Sequence, residues 1–212
     1  IVEGNRLEKL LYSVDFEDTH KIIAKNKREF ILNNEFETKI TELNIPLKHS
    51  KKEKLVLSDV FVYPDLEPLV DDDTVQYPNS SELIDKVKEE KKANVLIEGA
   101  DQSGKTSLLF VLYKRFYEMG FTPIYLRGKN CKETNIKNLV KKSLKEQYDS
   151  NNVDLFFQQE TKILCLDNFH KSELNSKYKK KLIDSINDNF EFIYLTSDNT
   201  YSSKNVTEEA TS

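Results

Sequence analysis

Short apolar runs alternate with helix-like patterns along the second half of the chain. Four runs of strand length occupy residues 95–97, 122–126, 163–166 and 192–195. Around them, apolar residues recur at intervals of three and four, which predicts helices over 82–91, 104–119, 136–148, 153–160 and 177–190. Strands that alternate with helices form a parallel sheet with helices on both faces. We therefore predict an α/β fold with three layers.

The first 50 residues show a different pattern. Apolar residues recur at helical intervals among charged ones from 5 to 43, which predicts two amphipathic helices that break near 13–15. Such helices either pack on the domain behind them or connect it to another domain, and the pattern is the same in both cases. We expect a helical extension or connector over 1–50, a main domain over 51–199, and a disordered tail over 200–212, where the residues are polar and small.

Candidate chemistry first appears between the first strand and the helix after it. Residues 99–106 read GADQSGKT and fit the pattern G-x-x-x-x-G-K-[ST] of a phosphate-binding loop. In such a loop, backbone N–H groups surround the phosphates and the N-terminus of the helix adds positive potential. Lys105 would reach the β and γ phosphates, and Thr106 would offer its hydroxyl group to Mg²⁺. The candidate nucleotide-binding residues here are Gly99, Ala100, Asp101, Gln102, Ser103, Gly104, Lys105, Thr106 and Ser107.

An aspartate at the end of the third strand is the second candidate. The run 163–166 delivers Asp167 to the carboxyl end of the strand, where ligands bind in open parallel sheets. An aspartate there can hold the Mg²⁺ shell opposite Thr106, which is the Walker-B role. We predict Thr106 and Asp167 as the magnesium ligands, and Lys105, Asp167 and Asn168 as the catalytic residues.

The segment 51–69 lies upstream of the phosphate loop and is rich in apolar and aromatic residues. Its pattern fits a strand or extended coil, and Pro64 and Pro68 argue against a helix. Val62 and Tyr63 are candidate adenine contacts, although core packing explains their spacing equally well. Ser80 or Ser81 is expected to cap the helix over 82–91.

Composition narrows the partners and the compartment. The 212 residues carry 32 Lys and Arg against 36 Asp and Glu, and this net charge of −4 gives no global field for nucleic acid or an anionic membrane. Cys131 and Cys165 lack metal-ligand spacing, which indicates reduced structural thiols. No apolar run has membrane-spanning length, and the N-terminus does not resemble a signal peptide. We expect a cytoplasmic protein and, since the chain starts with Ile1, a piece of a longer one.

Several subclasses of phosphate-loop protein do not fit. GTPases carry an NKxD guanine motif and transporter-type ATPases an LSGGQ-like signature, and the chain has neither. Small-molecule kinases usually have an arginine-bearing lid, but Arg127 is the only arginine after the phosphate-loop helix. These absences leave the additional-strand ATPases and favour ATP over GTP. The segments LSDVFVYPDL, IEGADQSGKTSLL, PIYLRG, KILCLDNFHK and FIYLTSD together resemble the ATPase module of STAND-type, NACHT-like signalling NTPases of bacterial defence and signalling proteins. The resemblance covers about 51–198.

The resemblance implies further features of the fold and the site. The 192–195 strand would lie between the phosphate-loop strand and the Asp167 strand. Val62 and Tyr63 would match the adenine-contacting segment, and Thr196 and Ser197 the sensor strand end near the γ phosphate. The expected ligands are ATP or ADP with Mg²⁺, and the expected partners are further copies or other domains of the parent protein.

Two positions depart from the family pattern. Asn168 replaces an acidic residue that often orients the attacking water, and because an amide does not accept a proton, we expect slow hydrolysis. Asp198 stands where related sensor motifs often carry an arginine. His170 is either a substitute that positions water or a surface histidine. We therefore expect a Mg-ATP-binding signalling and oligomerisation switch. A free-standing ATPase or phosphotransferase and a non-hydrolysing interaction scaffold are the alternatives.

Overall fold

The protein is described from a computed structural model over residues 28–43, 50–67 and 79–198. The chain divides into two compact units, Ile1–Ile31 and Leu32–Ser212. Most of the predicted helices over 5–43 and the tail over 200–212 lie outside the described residues. The second unit contains strands β1 Ala93–Glu98, β2 Ile124–Arg127, β3 Ile163–Asp167 and β4 Phe192–Ser197. Its described helices are α1 Asn34–Thr41, α2 Leu57–Val60, α3 Glu82–Glu89, α4 Lys105–Glu118, α5 Ile136–Gln147, α6 Val153–Phe157 and α7 Ser176–Asn189.

The four strands form one parallel sheet in the order β1-β4-β3-β2. Strand β4 is thus inserted between the phosphate-loop strand and the strand that ends in Asp167, which confirms the predicted additional-strand order. The register places Glu98 beside Ser197 and Arg127 beside Asp167. All four carboxyl ends therefore meet along one edge of the sheet, which is the expected ligand-binding edge of an open α/β sheet.

The two central strands, β3 and β4, carry few polar residues because they are buried. Every residue of β3 and β4 is buried. Side chains alternate between the faces of a strand, so full burial requires helices on both faces. The three-layer prediction is therefore confirmed. Both cysteines, Cys131 and Cys165, are buried free thiols. Among the described helices, none has the length and apolar content needed to cross a bilayer.

Helix α1 packs on α4, within the same compact unit as the sheet. The ring of Phe36 meets that of Tyr113 edge to face, with 5.4 Å between centroids. Glu37 forms an ion pair with Lys114 on the same side. Because Phe36 and Ile40 are buried, the apolar stripe of this helix serves packing on the domain.

The outer edge of β2 is closed by a single side chain. The Gln147 side-chain carbonyl accepts a hydrogen bond from the Tyr125 backbone N–H at 2.9 Å, and its NH₂ group donates to the Tyr125 carbonyl at 2.7 Å. Gln147 is only 1% exposed. Its amide thus supplies the two bonds that a neighbouring strand would otherwise make.

Replacing Gln147 with leucine should lower the free energy of unfolding by about 3 kcal/mol, because a buried N–H and a buried carbonyl of Tyr125 lose their partners. Urea denaturation followed by circular dichroism measures this loss. Gln158 is exposed at the end of α6, so Gln158→Leu is the matched control, with an expected change below about 0.5 kcal/mol. Equal losses in the two variants would contradict the edge-closing role.

The structure corrects the prediction for residues 51–69. Helix α2, one turn at Leu57–Val60, interrupts the extended chain there. Asp59 stabilises its start, because its side chain accepts a hydrogen bond from the Val56 N–H at 3.1 Å. Pro64 lies beyond this turn, and a proline forbids helix only around its own position.

The predicted serine cap of α3 is also wrong. Ser81 precedes the helix, but its side chain makes no capping hydrogen bond. The carbonyl oxygen of the Asn79 side chain instead accepts hydrogen bonds from the Ser81 N–H at 3.1 Å and hydroxyl at 2.7 Å. The Glu82 carboxylate in turn accepts the Asn79 N–H at 3.1 Å. An Asn–Glu pair therefore starts this helix, as in a capping box shifted by two residues.

Candidate functional site

The phosphate loop is a tight reversal between β1 and α4. Gln102 and Gly104 have positive φ angles of 61° and 89°. Glycine adopts this region without steric cost, which explains its use at position 104. At Gly99, a Cβ atom would lie 2.8 Å from the Ser103 side-chain oxygen, so the two ends of the loop approach closely.

The N-terminus of α4 differs from those of four other described helices. Helices α1, α5, α6 and α7 each begin after an asparagine whose side chain accepts a helix N–H; these are Asn33, Asn135, Asn152 and Asn175. Helix α4 begins after Gly104, with no capping side chain and no acidic residue in its first turn. The N–H groups of that turn therefore have no side-chain acceptor, which is the arrangement that binds an anion.

The Lys105 ammonium group lies across the loop. It donates hydrogen bonds to the carbonyl oxygens of Gly99 at 2.7 Å and Ala100 at 2.6 Å, and its third neighbour is the Ser103 hydroxyl at 3.3 Å. The residue is only 8% exposed. A phosphate in the loop would compete with these carbonyls for the same ammonium protons, so binding would rearrange the loop contacts.

Asp167 is the centre of the site. It is 3% exposed and accepts hydrogen bonds from three hydroxyl groups. The Thr106 hydroxyl lies 3.1 and 3.0 Å from its two oxygens, that of Thr196 lies 2.9 Å from Oδ1, and that of Tyr125 lies 2.8 Å from Oδ2. Residues 61 positions apart in the chain, Thr106 and Asp167, thus converge as the sequence predicted.

The spacing of these oxygens fits a magnesium site. Adjacent ligands of an octahedral Mg²⁺, each about 2.1 Å from the ion, lie about 3 Å from one another. Thr106 Oγ1 and the Asp167 oxygens have this separation, at 3.0 and 3.1 Å. The described residues include no group of three or more His, Cys, Asp or Glu that could hold a metal alone. Mg²⁺ usually takes one or two protein ligands together with substrate phosphates, and two protein oxygens at this spacing fit that pattern.

Tyr125 is a site residue that sequence reasoning missed. It lies in the apolar run of β2 and reads there as a core residue, but its hydroxyl group donates to Asp167. Burial, and then the neighbouring carboxylate of Asp167, raise the pKa of Tyr125. The hydroxyl therefore keeps its proton at neutral pH and remains a donor that orients Asp167.

Asn168 ties the end of β3 to the end of β4. Its backbone N–H donates to the Thr196 hydroxyl at 2.8 Å, and that hydroxyl donates to Asp167. Asn168 has a φ of 54°, a left-handed conformation that asparagine adopts more readily than most residues. This conformation turns the chain sharply after the carboxylate, so Thr196 stabilises both the turn and Asp167.

His170 is held by the end of β4. Its Nδ1 accepts a hydrogen bond from the Asp198 backbone N–H at 3.2 Å, and Nε2 lies 3.4 Å from the Asp198 carboxylate. The Ser197 hydroxyl lies 3.4 Å from Nδ1. Burial lowers the pKa of His170, although Asp198 opposes the shift. Asp198 thus pairs with His170 at the end of β4.

Glu98 is a second residue that sequence reasoning missed. It ends β1 beside Ser197, directly before the phosphate loop. Its Oε1 is buried and, within the described residues, makes no hydrogen bond. Loss of hydration, and then the charge of Asp198, raise the pKa of this carboxyl group. The sequence feature that could have identified it is a single acidic residue directly after the apolar run 95–97.

Val62 and Tyr63 are not brought to the loop. The Val62 side chain is 83% exposed, and the ring of Tyr63 packs edge to face on Phe61 at 5.3 Å. A hydrogen bond with Tyr63 raises the pKa of Arg115. Arg115 follows Lys105 by ten residues on α4, which is about 15 Å along a helix. In this arrangement the two candidate adenine contacts lie near the far end of α4.

Comparison with known families agrees with this geometry. The family model AAA_14, described as an AAA domain, matches residues 91–212, which is more than half of the chain. The chain belongs to this AAA domain family. The matched region contains the phosphate loop, Asp167 and Thr196, so the AAA domain is a P-loop NTPase module. Members of this family generally bind ATP or ADP together with Mg²⁺.

Two solved structures show a distant likeness to the AAA domain. The Thermotoga maritima RuvB Holliday junction branch migration motor has 15% identity and a TM-score of 0.35, over 56% of this chain and 36% of that chain. A point variant of that RuvB has 15% identity and a TM-score of 0.34, over 56% and 35%. The match thus spans about a third of either RuvB chain, and similarity at this level does not bear on activity. No curated protein matches the chain.

Proposed function

We propose that this AAA domain binds Mg-ATP and acts as a nucleotide-dependent switch with slow hydrolysis, as a module of a larger STAND-like sensor protein. The observation that carries the binding proposal is the Thr106–Asp167 pair, 3.0–3.1 Å apart beside the uncapped start of α4. The STAND-like context rests on the sequence resemblance described above.

Each part of the site has a role in binding. The N–H groups of residues 104–107 would hold the phosphates, and the Lys105 ammonium group would donate its hydrogen bonds to phosphate oxygens instead of to the loop carbonyls. Thr106 and Asp167 would hold Mg²⁺, which neutralises charge on the phosphates when it is bound. Tyr125 and Thr196 would keep the Asp167 carboxylate in one orientation.

Slow hydrolysis follows from the residues around Asp167. The next side chain, Asn168, has no basic oxygen to accept a proton from water. His170 is bonded at Nδ1 by the Asp198 N–H, so it is tied to the end of β4. With slow hydrolysis the Mg-ATP-bound conformation would persist, and that conformation would favour association with other copies or with other domains.

A steadily working ATPase is the second candidate, and Glu98 favours it. This carboxyl group precedes the phosphate loop, and its raised pKa is a property of many general bases. In that case phosphate release would fall by at least about tenfold in Glu98→Gln, a loss typical for a missing general base. If the domain is instead a switch with slow hydrolysis, Glu98→Gln should leave the slow release of phosphate nearly unchanged.

Sedimentation velocity and phosphate release, measured on the same samples, test the switch. The chain is compared without nucleotide, with Mg-ADP and with Mg-ATP. We expect a larger assembly only with Mg-ATP, its loss in Asp167→Ala, and turnover well below the roughly 10 s⁻¹ of a median enzyme. The switch proposal would be overturned if the protein had the same mass without nucleotide, with Mg-ADP and with Mg-ATP, or if its turnover were near that median. Binding of Mg-ATP is tested separately, through the substitution of Lys105.

A further inference from the structure

A cavity of about 290 Å³ opens beside strand β2 and helix α5. We call it the β2 pocket. Its charged and aromatic lining consists of Lys39, Tyr125, Arg127, Lys132, Lys142 and Glu146. The volume is close to the lower limit of small-molecule sites, about 300 Å³. The pocket therefore has room for a small ligand or for one end of a larger one.

The β2 pocket carries more positive than negative charge. Lys142 is paired with Glu133 at 2.7 Å, and Lys132 lies 4.0 Å from Glu173. Within the described residues, no carboxylate forms an ion pair with Lys39 or Arg127. In that part of the chain, two cations thus remain without a carboxylate partner, and Glu146 is the one acid in the lining.

Lys39 shows the effect of this imbalance. Its ammonium group lies over two aromatic rings, 5.2 Å from the centroid of Phe36 and 5.7 Å from that of Tyr125. Loss of hydration, and then repulsion from Arg127, lower the pKa of Lys39, while Glu146 opposes the shift. An anion in the pocket would relieve the repulsion between these two cations.

We propose that the β2 pocket binds a phosphate group. A phosphate monoester carries a charge of about −1.5 to −2 at pH 7, and Lys39 and Arg127 together outweigh the single acid of the lining, Glu146. The planar guanidinium of Arg127 can bind two phosphate oxygens at once, and Lys39 adds a point charge. The aromatic wall formed by Tyr125 limits access of water on one side, which strengthens both contacts.

The pocket is distinct from the phosphate loop. Strands β1 and β2 are at opposite ends of the order β1-β4-β3-β2, so three inter-strand spacings, about 14 Å, separate them. The two sites are nevertheless linked through Tyr125. Its ring lines the pocket, while its hydroxyl group donates to Asp167 at 2.8 Å. Occupation of the pocket would therefore be felt at the magnesium ligand.

Arginine NMR gives a site-resolved test, because the chain has only four arginines, Arg6, Arg28, Arg115 and Arg127. The Nε–Hε signal of Arg127 is assigned by its loss in Arg127→Lys. Pyrophosphate is titrated into Lys105→Ala protein, in which we expect binding at the phosphate loop to be at least about 100-fold weaker. We expect a saturable shift of the Arg127 signal and about tenfold weaker binding after Lys39→Gln, as for a lost charge-assisted hydrogen bond.

Lys141→Gln is the matched control, since Lys141 is exposed on α5 and outside the pocket. It removes the same charge and should leave the affinity unchanged. A parallel titration with an oligonucleotide of ten thymidines distinguishes the source of the phosphate. A shift at lower concentration than with pyrophosphate identifies a nucleic-acid backbone, and the reverse order identifies a small phosphorylated ligand.

The proposal is overturned by either of two outcomes. One is the lack of an Arg127 shift with both probes, in protein whose thermal unfolding matches that of the parent chain. The other is an equal loss of affinity in Lys39→Gln and Lys141→Gln, which would indicate attraction to net charge alone. Because the titration uses Lys105→Ala, failure here leaves the Mg-ATP proposal untouched.

Discussion

Replacing Lys105 with alanine should weaken the binding of Mg-ATP at least about 100-fold, or about 3 kcal/mol. The ammonium group is buried at the loop and already makes two short bonds, of 2.6 and 2.7 Å, to carbonyl oxygens. Charged phosphate oxygens are stronger acceptors than carbonyls, with about 1.5–3 kcal/mol for each charge-assisted bond. Alanine removes these bonds and the positive charge together. Isothermal titration calorimetry with Mg-ATP measures the loss.

Lys114→Ala is the control for this experiment. Lys114 lies on the same helix but pairs with Glu37 on α1, away from the loop. Its substitution should leave the dissociation constant for Mg-ATP unchanged. The carbonyl groups released in Lys105→Ala belong to residues that water can reach, Gly99 and Ala100, so the fold should persist. Unchanged affinity in a folded Lys105→Ala protein would refute nucleotide binding at this loop.

Replacing Gly128 with alanine should lower the free energy of unfolding by about 3 kcal/mol, the upper part of the usual range for overpacking. A Cβ atom at this position would lie 2.1 Å from the Asn168 carbonyl oxygen and 2.9 Å from the Phe169 Cα. Both are backbone atoms, so no side-chain rotation can relieve the clash. Calorimetry should show a midpoint lower by about 6–12 °C.

Gly120→Ala is the control, because it distinguishes destabilisation by steric overlap from destabilisation by an unfavourable backbone conformation. Gly120 has a φ of 102°, but nothing lies within 4 Å of the position that a Cβ atom would take there. Alanine at this position meets only the cost of a left-handed backbone, about 1–2 kcal/mol. If Gly128→Ala destabilised the protein no more than Gly120→Ala, the close approach of the Asn168 backbone would not limit the size of the side chain at position 128.

The parts of the site that sequence predicted are those encoded by local spacing. The phosphate loop is a contiguous pattern, and Asp167 ends an apolar run, so neither depends on knowing the packing. Strand order came from the family resemblance, because apolar runs alone do not say which strands are neighbours. Helix α2 was missed since a single turn at 57–60 leaves no periodicity to detect.

The parts that sequence missed depend on contacts between distant residues. Tyr125 reaches Asp167 across 42 positions, and a tyrosine in an apolar strand looks like any core aromatic. Gln147 reaches Tyr125 across 22 positions from the polar-looking end of a helix. Val62 and Tyr63 are the reverse case, because the apolar and aromatic character of a segment upstream of the loop did not place them near it in space.

The edge of β2 has a consequence for the variation that position 147 can tolerate. One terminal group has to donate a hydrogen bond to the carbonyl oxygen of Tyr125 and also accept one from the N–H group of the same residue. Among the twenty amino acids, only the carboxamides of glutamine and asparagine present both functions side by side, and asparagine is one methylene shorter. Substitution at this residue is therefore limited to little besides glutamine, although the residue lies outside the phosphate loop.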